Sequence, residues 1–171
     1  DNKNIGIGNQ NPQTNLTIGS AQGNSLEFTY DSTNGYRNII SNHWDSNTDT
    51  RMDFNIGRTA NVAPTTIMSV GYGGRVGIGT NSPKTTLNVA ANNSGQGPIL
   101  TLENTDTSIT TGDVIGQIDF YANDGSSNGT GAKVNIKAVA QSSAGTVTEL
   151  TFGTSPSSSA TAIERMRIDA S

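Results

Sequence analysis

A short pattern that occurs twice constrains this chain more than any other feature. Arg75-Val-Gly-Ile-Gly-Thr-Asn-Ser-Pro-Lys-Thr-Thr-Leu-Asn-Val89 has a weaker counterpart in Asn4-Ile-Gly-Ile-Gly-Asn-Gln-Asn-Pro-Gln-Thr-Asn-Leu-Thr-Ile18. An offset of 71 (76 − 5) places Val76 on Ile5, Gly77 on Gly6, Ile78 on Ile7, Gly79 on Gly8, Pro83 on Pro12, Leu87 on Leu16 and Val89 on Ile18 without a gap. A repeat has to be settled first, because missing one misassigns the architecture. Val76 and Ile78 alternate with Gly77 and Gly79 at the period of a strand. Glycine at every second place bares one side, so that another backbone can approach closely. Thr80 to Pro83 reads as a turn, with Asn81 and Ser82 bonding back to the backbone and Pro83 presetting φ. Leu87 and Val89 then form a second short strand. A unit this small cannot bury its own apolar side. It must pack on neighbours or on copies of itself from other chains.

Composition agrees with a β-rich chain. Charged residues are 14% of the 171, against about 25% in ordinary globular domains. Asn, Ser, Thr and Gly fill the difference. The same composition is compatible with disorder, and the repeated Val/Ile/Leu alternations argue against that. The formal net charge is −4, with no basic patch, so nucleic acid is not an expected partner. Cysteine is absent, which removes disulfides. No run approaches the roughly 18 apolar residues of a membrane helix, and membrane insertion is not expected. The chain opens on Asp1 and is expected to be a piece of something longer.

Between the junctions lies a first payload. Leu26, Phe28 and Tyr30 alternate with polar residues as a half-buried strand, Asn34-Gly35 marks a hairpin, and Tyr36 to Ile40 returns. Asn42 to Asp49 reads as a polar loop holding the single His43 and the single Trp44. Met52, Phe54 and Ile56 alternate next, and Thr66 to Val70 closes the unit. The second payload follows the same plan at greater length. Leu100 and Leu102 take the place of Leu26 and Phe28, Leu150 and Phe152 echo Met52 and Phe54, and Met166 and Ile168 echo Met68 and Val70. The expected fold class is all-β, in two tandem modules, residues 1–74 and 75–171. Ala160 to Arg167 has some helix-forming residues, yet its equivalent near Val70 is β-like and strand is expected.

The pattern Gly-Arg-Val-Gly-Ile-Gly-Thr-x-x-Pro-x-x-x-Leu-x-Val resembles the junction repeat of bacteriophage tail fibres and related virion appendages. Glu164-Arg-Met-Arg-Ile-Asp169 resembles the segment that precedes such junctions. These stretches cover about a third of the chain. The resemblance implies an intertwined homotrimeric fibre of β-prism-like or β-sandwich-like units, located on the virion outside the cell. Such fibres often continue into an intramolecular chaperone domain, and no such segment lies in this sequence. The implied work is structural and host-recognising, toward a surface glycan or protein. Two other classes stand beside it: a polysaccharide-degrading, tailspike-like hydrolase, and a bacterial trimeric surface adhesin.

Receptor-contact candidates are aromatic or basic: Tyr36, Arg37, His43, Trp44 and Tyr121. Aromatic faces stack on sugar rings while nearby Asp or Asn holds the hydroxyls. The competing reading of Trp44 is packing against a neighbouring subunit. No metal, cofactor or catalytic residue is expected. A lone His43 makes a poor metal site unless three copies converge, and Asp45-Ser-Asn47-Thr-Asp49 lacks the later Gly and Glu of a calcium loop. Gly77-x-Gly79 is no nucleotide fingerprint, since no helix follows it. Carboxylate pairs for glycan cleavage could come from Asp119 with Asp124, or from Asp45, Asp49 and Asp53, if these converge in space.

Overall fold

A computed structural model describes residues 5–7, 10, 16–18, 25–31, 34, 36–44, 50–57, 62–92 and 94–170. The protein is all-β, as expected, with no α-helix among the described residues. Two compact units divide between Ile99 and Leu100. That division differs from the boundary expected at Gly74. The second junction does not open the second module; its strands complete the first sheet.

The described residues of the first unit form β1 (Ile5–Ile7), β2 (Leu16–Ile18), β3 (Ser25–Asp31), β4 (Tyr36–Trp44), β5 (Thr50–Ile56), β6 (Thr65–Gly71), β7 (Arg75–Ile78) and β8 (Leu87–Val89). β3 to β8 form one sheet in chain order, and β1 pairs with β2 as a separate ribbon. The structure thereby corrects the reading of residues 42–44 as loop, since Asn42, His43 and Trp44 end β4. Asp45 and Asp49 lie outside the described residues. The second unit holds β9 (Val114–Asn123), β10 (Thr130–Ala140), β11 (Thr148–Thr154) and β12 (Ile163–Ile168), again one sheet in chain order.

The two junctions fold alike. Val76, Gly77 and Ile78 pair in parallel with Leu87, Asn88 and Val89, and Ile5, Gly6 and Ile7 pair in parallel with Leu16, Thr17 and Ile18. Parallel neighbours usually need a crossover of a dozen or more residues, yet Gly79 to Thr86 suffices here. Its own polar side chains brace it. The Ser82 amide donates to Thr80 Oγ1 at 3.1 Å, the Lys84 amide to Asn88 Oδ1 at 3.1 Å, and Thr85 Oγ1 donates to the Leu87 carbonyl at 2.7 Å. The glycines make the path passable. A Cβ on Gly77 would sit 2.2 Å from the Thr80 carbonyl oxygen, and one on Gly79, where φ is +72°, 2.0 Å from that of Ala90.

The two sheets share one register. Phe54 faces Met68 and Met52 faces Val70 in the first; Phe152 faces Met166 and Leu150 faces Ile168 in the second, an offset of 98 in every case (152 − 54, 166 − 68). Each pair of strands slips at the same place, leaving Ile67 extra in β6 and Arg165 extra in β12. The earlier strands correspond too: Leu26 faces Ile40 as Ile118 faces Ile136. Ile118 and Phe120, not Leu100 and Leu102, therefore take the place of Leu26 and Phe28. Leu102 instead crosses over Gly116, where an added Cβ would meet the Leu102 Cβ at 3.0 Å.

Side chains alternate across each sheet, and the two faces differ sharply. Leu26, Ile40, Phe54, Met68, Ile78 and Val89 form an apolar row across the first sheet. Ser41, Asp53, Ser69, Gly77 and Asn88 form a polar row on its reverse. In the second sheet Ile118, Ile136, Phe152 and Met166 oppose Gln117, Lys137, Thr151 and Arg167. Burial inverts the usual pattern. Asp53, Ser69, Asn135, Glu149 and Thr151 are buried, and among the described residues only Val139 and Ala140 are buried apolar side chains. Phe28 and Phe120 remain 56% and 55% exposed.

Two expected outcomes follow from this geometry. Gly77→Ala and Gly79→Ala each force the crossover to move and should cost more than about 2 kcal/mol in denaturant unfolding. Gly125→Ala, where nothing lies within 4 Å of the added Cβ, should be nearly neutral; equal midpoints for the three variants would contradict the account of the junction. On β12, Arg167 donates from Nε and Nη2 to the Glu164 carboxylate at 2.6 and 2.7 Å, and this hydrogen bonding holds Glu164 below the ordinary carboxylate range. A carboxylate lowered on folding stabilises above its unfolded pKa and loses that contribution as pH falls through the folded value. The NMR titration midpoint of Glu164 should lie below 4.5 and rise in Arg167→Ala; a midpoint at or above that value in the parent chain would contradict the contact.

Candidate functional site

The polar face of the first sheet carries a network along its middle strands. Arg51 Nε donates to both carboxylate oxygens of Asp53, at 3.2 and 3.0 Å, and the Ser69 hydroxyl donates to Asp53 Oδ1. Asn55 Nδ2 donates to Ser41 Oγ at 3.0 Å, and Thr66 Oγ1 donates to Asn55 Oδ1 at 2.7 Å. These partners replace the water that burial removes. The Arg51 and Asp53 side chains are 12% and 8% exposed, so this is an interior ion pair, dependent on both partners.

Beside that network, the junction crossover leans over the polar face and closes a cavity of about 460 Å³. It is lined by His43 from the end of β4, Arg51 from β5, Tyr72 in the turn after β6, Arg75 from β7, and Asn81 and Ser82 from the crossover. Both Arg51 and Arg75 lie on the polar side, because Arg51 pairs with Gly71 and Gly71 with Arg75. Arg51 is committed to Asp53; Arg75 makes no ion pair among the described residues. Among the described residues no carboxylate lines the cavity. On a chain whose net charge is −4, the cavity is a local cationic recess fringed by hydroxyl, amide and phenol groups. Such a recess can hold an anionic or hydroxyl-rich ligand through charge-assisted and neutral hydrogen bonds.

The five candidates read from the sequence do not form one site. His43 lines the cavity. Trp44, its neighbour on the same strand, points to the opposite face, since it follows Ile40 and Asn42 at even spacing. Trp44 is 47% exposed beside the apolar row, as is Met52. Tyr36 and Arg37 start β4, while His43 and Trp44 end it. Arg37 lies 3.8 Å from Glu27 on the polar face. Tyr121, on β9 of the second unit, is 66% exposed and alternates with the apolar Ile118 and Phe120.

Arg51, Tyr72, Arg75, Asn81 and Ser82 were not singled out by the sequence reading. Gly71-Tyr72-Gly73-Gly74 read as a lead into the junction, and Arg75 as its first residue. Only the parallel crossover, which folds Asn81 and Ser82 back over the sheet, brings them to one recess. Asp119 and Asp124, also considered for catalysis, have local partners. Asp119 accepts from Gln117 at 2.6 Å, and Asp124 accepts from the Ser126 amide at 2.8 Å, hydrogen bonding that lowers its pKa. No group of three His, Asp or Glu side chains among the described residues is arranged to hold a metal ion.

No protein-family model matches the chain, and no curated protein matches it.

The buried ion pair gives a direct test. Asp53→Ala removes the carboxylate to which Arg51 and the buried Ser69 hydroxyl donate and should destabilise by about 3–5 kcal/mol in chemical denaturation. Asp53→Asn keeps a hydrogen-bond acceptor and should cost less. An Asp53→Ala variant as stable as the parent would contradict the network's structural role.

Proposed function

We propose that this chain is a structural and host-recognition component of a bacteriophage tail fibre or related virion appendage, working as a homotrimer outside the cell. The observation that carries the reading is the uncovered apolar face of each sheet. Among the described residues on those faces, Phe28, Phe120, Leu26 and Ile118 remain 56%, 55%, 46% and 46% exposed. A contiguous apolar face left in water marks an interaction face. Copies arranged around a threefold axis would bring identical faces together and give each sheet its missing core. The junction repeat, with its resemblance to tail fibres, supports three as the number and a virion as the setting.

In this reading the two faces divide the labour. The apolar face, with Trp44 at its margin, assembles the fibre. The polar face remains outward and offers the recess around Arg75 and His43 to a host surface glycan or protein. Acidic polysaccharide fits the cationic lining best. Cleavage of that polysaccharide gains no support from the described residues, because a glycosidase needs two carboxyl groups flanking the bond and no described residue lining the recess carries one.

A glycan array probed with the full chain tests recognition. The expected result is retention on acidic surface polysaccharides, reduced at least tenfold in Arg75→Ala and unchanged in Lys84→Ala, outside the recess. Retention independent of Arg75, or release of reducing ends from the bound glycan, would contradict the proposal.

A further inference from the structure

The shared register of the two sheets supplies an internal comparison for the recess. In the first sheet His43 faces Arg51; in the second, Val139 faces Glu149 at the same places, by offsets of 96 (139 − 43) and 98 (149 − 51). Ser69 falls on Arg167 by the same offset of 98 (167 − 69). The backbone plan is shared and the side chains are not. Where the first sheet presents an imidazole and a guanidinium, the second presents an aliphatic side chain and a carboxylate. That carboxylate is buried and taken up by Arg167 at 2.6 Å. The cationic lining is thus a property of the first unit's side chains, not a by-product of the sheet.

The turn beside it adds an aromatic surface. The Tyr72 amide donates to the Thr50 carbonyl at 2.7 Å, which fixes the backbone, while the residue as a whole is 73% exposed. Gly71 and Gly73 flank it, and nothing lies within 4 Å of a Cβ added at Gly73 or Gly74. A ring on a held backbone with bare neighbours is a ready platform. Three more polar groups at the recess are uncommitted among the described residues: the Arg75 guanidinium, the Asn81 amide and the Ser82 hydroxyl.

We propose that the recess reads a sugar acid, a single pyranose ring carrying a carboxylate. The ring lies on Tyr72, its carboxylate meets Arg75, and its hydroxyls bond to Asn81 and Ser82. A guanidinium alone would hold any anion, and the neighbouring groups narrow the choice. Asn81 and Ser82 each offer both a donor and an acceptor, which suits hydroxyl groups better than the all-acceptor oxygens of a bare anion. An exposed phenol ring presents an apolar face to the C–H side of a pyranose. The planar fork of Arg75 matches the two coplanar oxygens of a carboxylate, and one uncommitted guanidinium balances one negative charge. The cavity of about 460 Å³ sits at the small end of ligand pockets, roughly 300–1,000 Å³, and so takes a short glycan unit. Tyr72 is the specificity-determining residue, because it separates a sugar acid from an inorganic anion. The inference rests on the reading of this recess as a glycan site and adds which group of the glycan is read.

Calorimetric titration of the full chain with short oligogalacturonate, oligomannuronate and sialic acid oligomers tests the assignment. Each is compared with its carboxyl-reduced form and with a sulfated neutral glucan of equal length. At least one sugar acid should bind, and carboxyl reduction should weaken it roughly tenfold or more. The sulfated glucan should bind more weakly by a similar factor. Tyr72→Ala should lose roughly tenfold or more for the sugar acid and leave inorganic sulfate binding unchanged, while Tyr72→Phe stays near the parent. Arg75→Lys keeps the charge, loses the fork and should fall with Tyr72→Ala. Equal, Arg75-dependent binding of sulfated glucan and sugar acid, or a Tyr72→Ala variant that binds like the parent, overturns the sugar-acid assignment and leaves glycan recognition by the recess standing. Glycan binding that ignores Arg75, or failure of every sugar acid to bind, overturns the assignment too, and the first of these also removes the recess from recognition. The carboxyl-reduction arm uses the unmodified chain, so it decides even where a variant loses the parent's β-sheet circular dichroism.

Discussion

Apolar rows run across both sheets, from Leu26 to Val89 in the first and from Ile118 to Met166 in the second, and much of each stays in contact with water. Burying apolar surface is the main favourable term in folding, at about 25 cal/mol per Å². A chain whose buried apolar side chains, among the described residues, are Val139 and Ala140 draws little from that source alone. What holds a single chain together is hydrogen bonding in the ladders and the satisfied polar network around Asp53. The strongest contribution awaits a second surface. The proposed threefold assembly supplies that surface from identical copies, so folding and association become one event.

The same constraint explains why the polar side pairs its central buried groups, while Arg37 Nε and Asn135 Oδ1 find no hydrogen-bond partner among the described residues. If the apolar face is reserved for other copies, the reverse face must satisfy its own buried groups. Arg51, Ser69 and Asp53 do this in the first sheet, and Arg167, Glu149 and Gln141 do it in the second. The junction crossover adds to the closure. It reaches over the sheet only because Gly77 has no Cβ to meet the Thr80 backbone and Gly79 accepts a positive φ against Ala90. One short repeated motif thus extends the sheet by two strands, continues the apolar rows and roofs a cationic recess.

The all-β character was legible because Leu26–Phe28, Met52–Ile56 and Val76–Ile78 alternate at a strand's period, and the repeat was legible because its glycines and proline recur in fixed spacing. The echo of Met68 and Val70 by Met166 and Ile168 also reads directly, and the pairing of β11 with β12 bears it out. Four things were hidden. Parallel pairing of β7 with β8 is not encoded in a strand–turn–strand pattern, which suits a hairpin equally well. The unit boundary near Ile99 was hidden for that reason, since a junction that pairs backward belongs to what precedes it. Trp44 and His43, adjacent in sequence, read as one aromatic cluster in a loop; on a strand they must point to opposite faces. The recess was not legible because Tyr72, Arg75 and Asn81 meet only through the crossover.

The central claim is that identical copies cover the apolar faces, and the mass of the particle in dilute solution addresses it most directly. Light scattering behind a sizing column should give about 53 kDa, three times the 17.8 kDa protomer, or an integer multiple of that figure, as closed threefold symmetry requires. A folded, soluble particle of 17.8 kDa would contradict the account, because a lone chain would then be stable with both apolar faces in water.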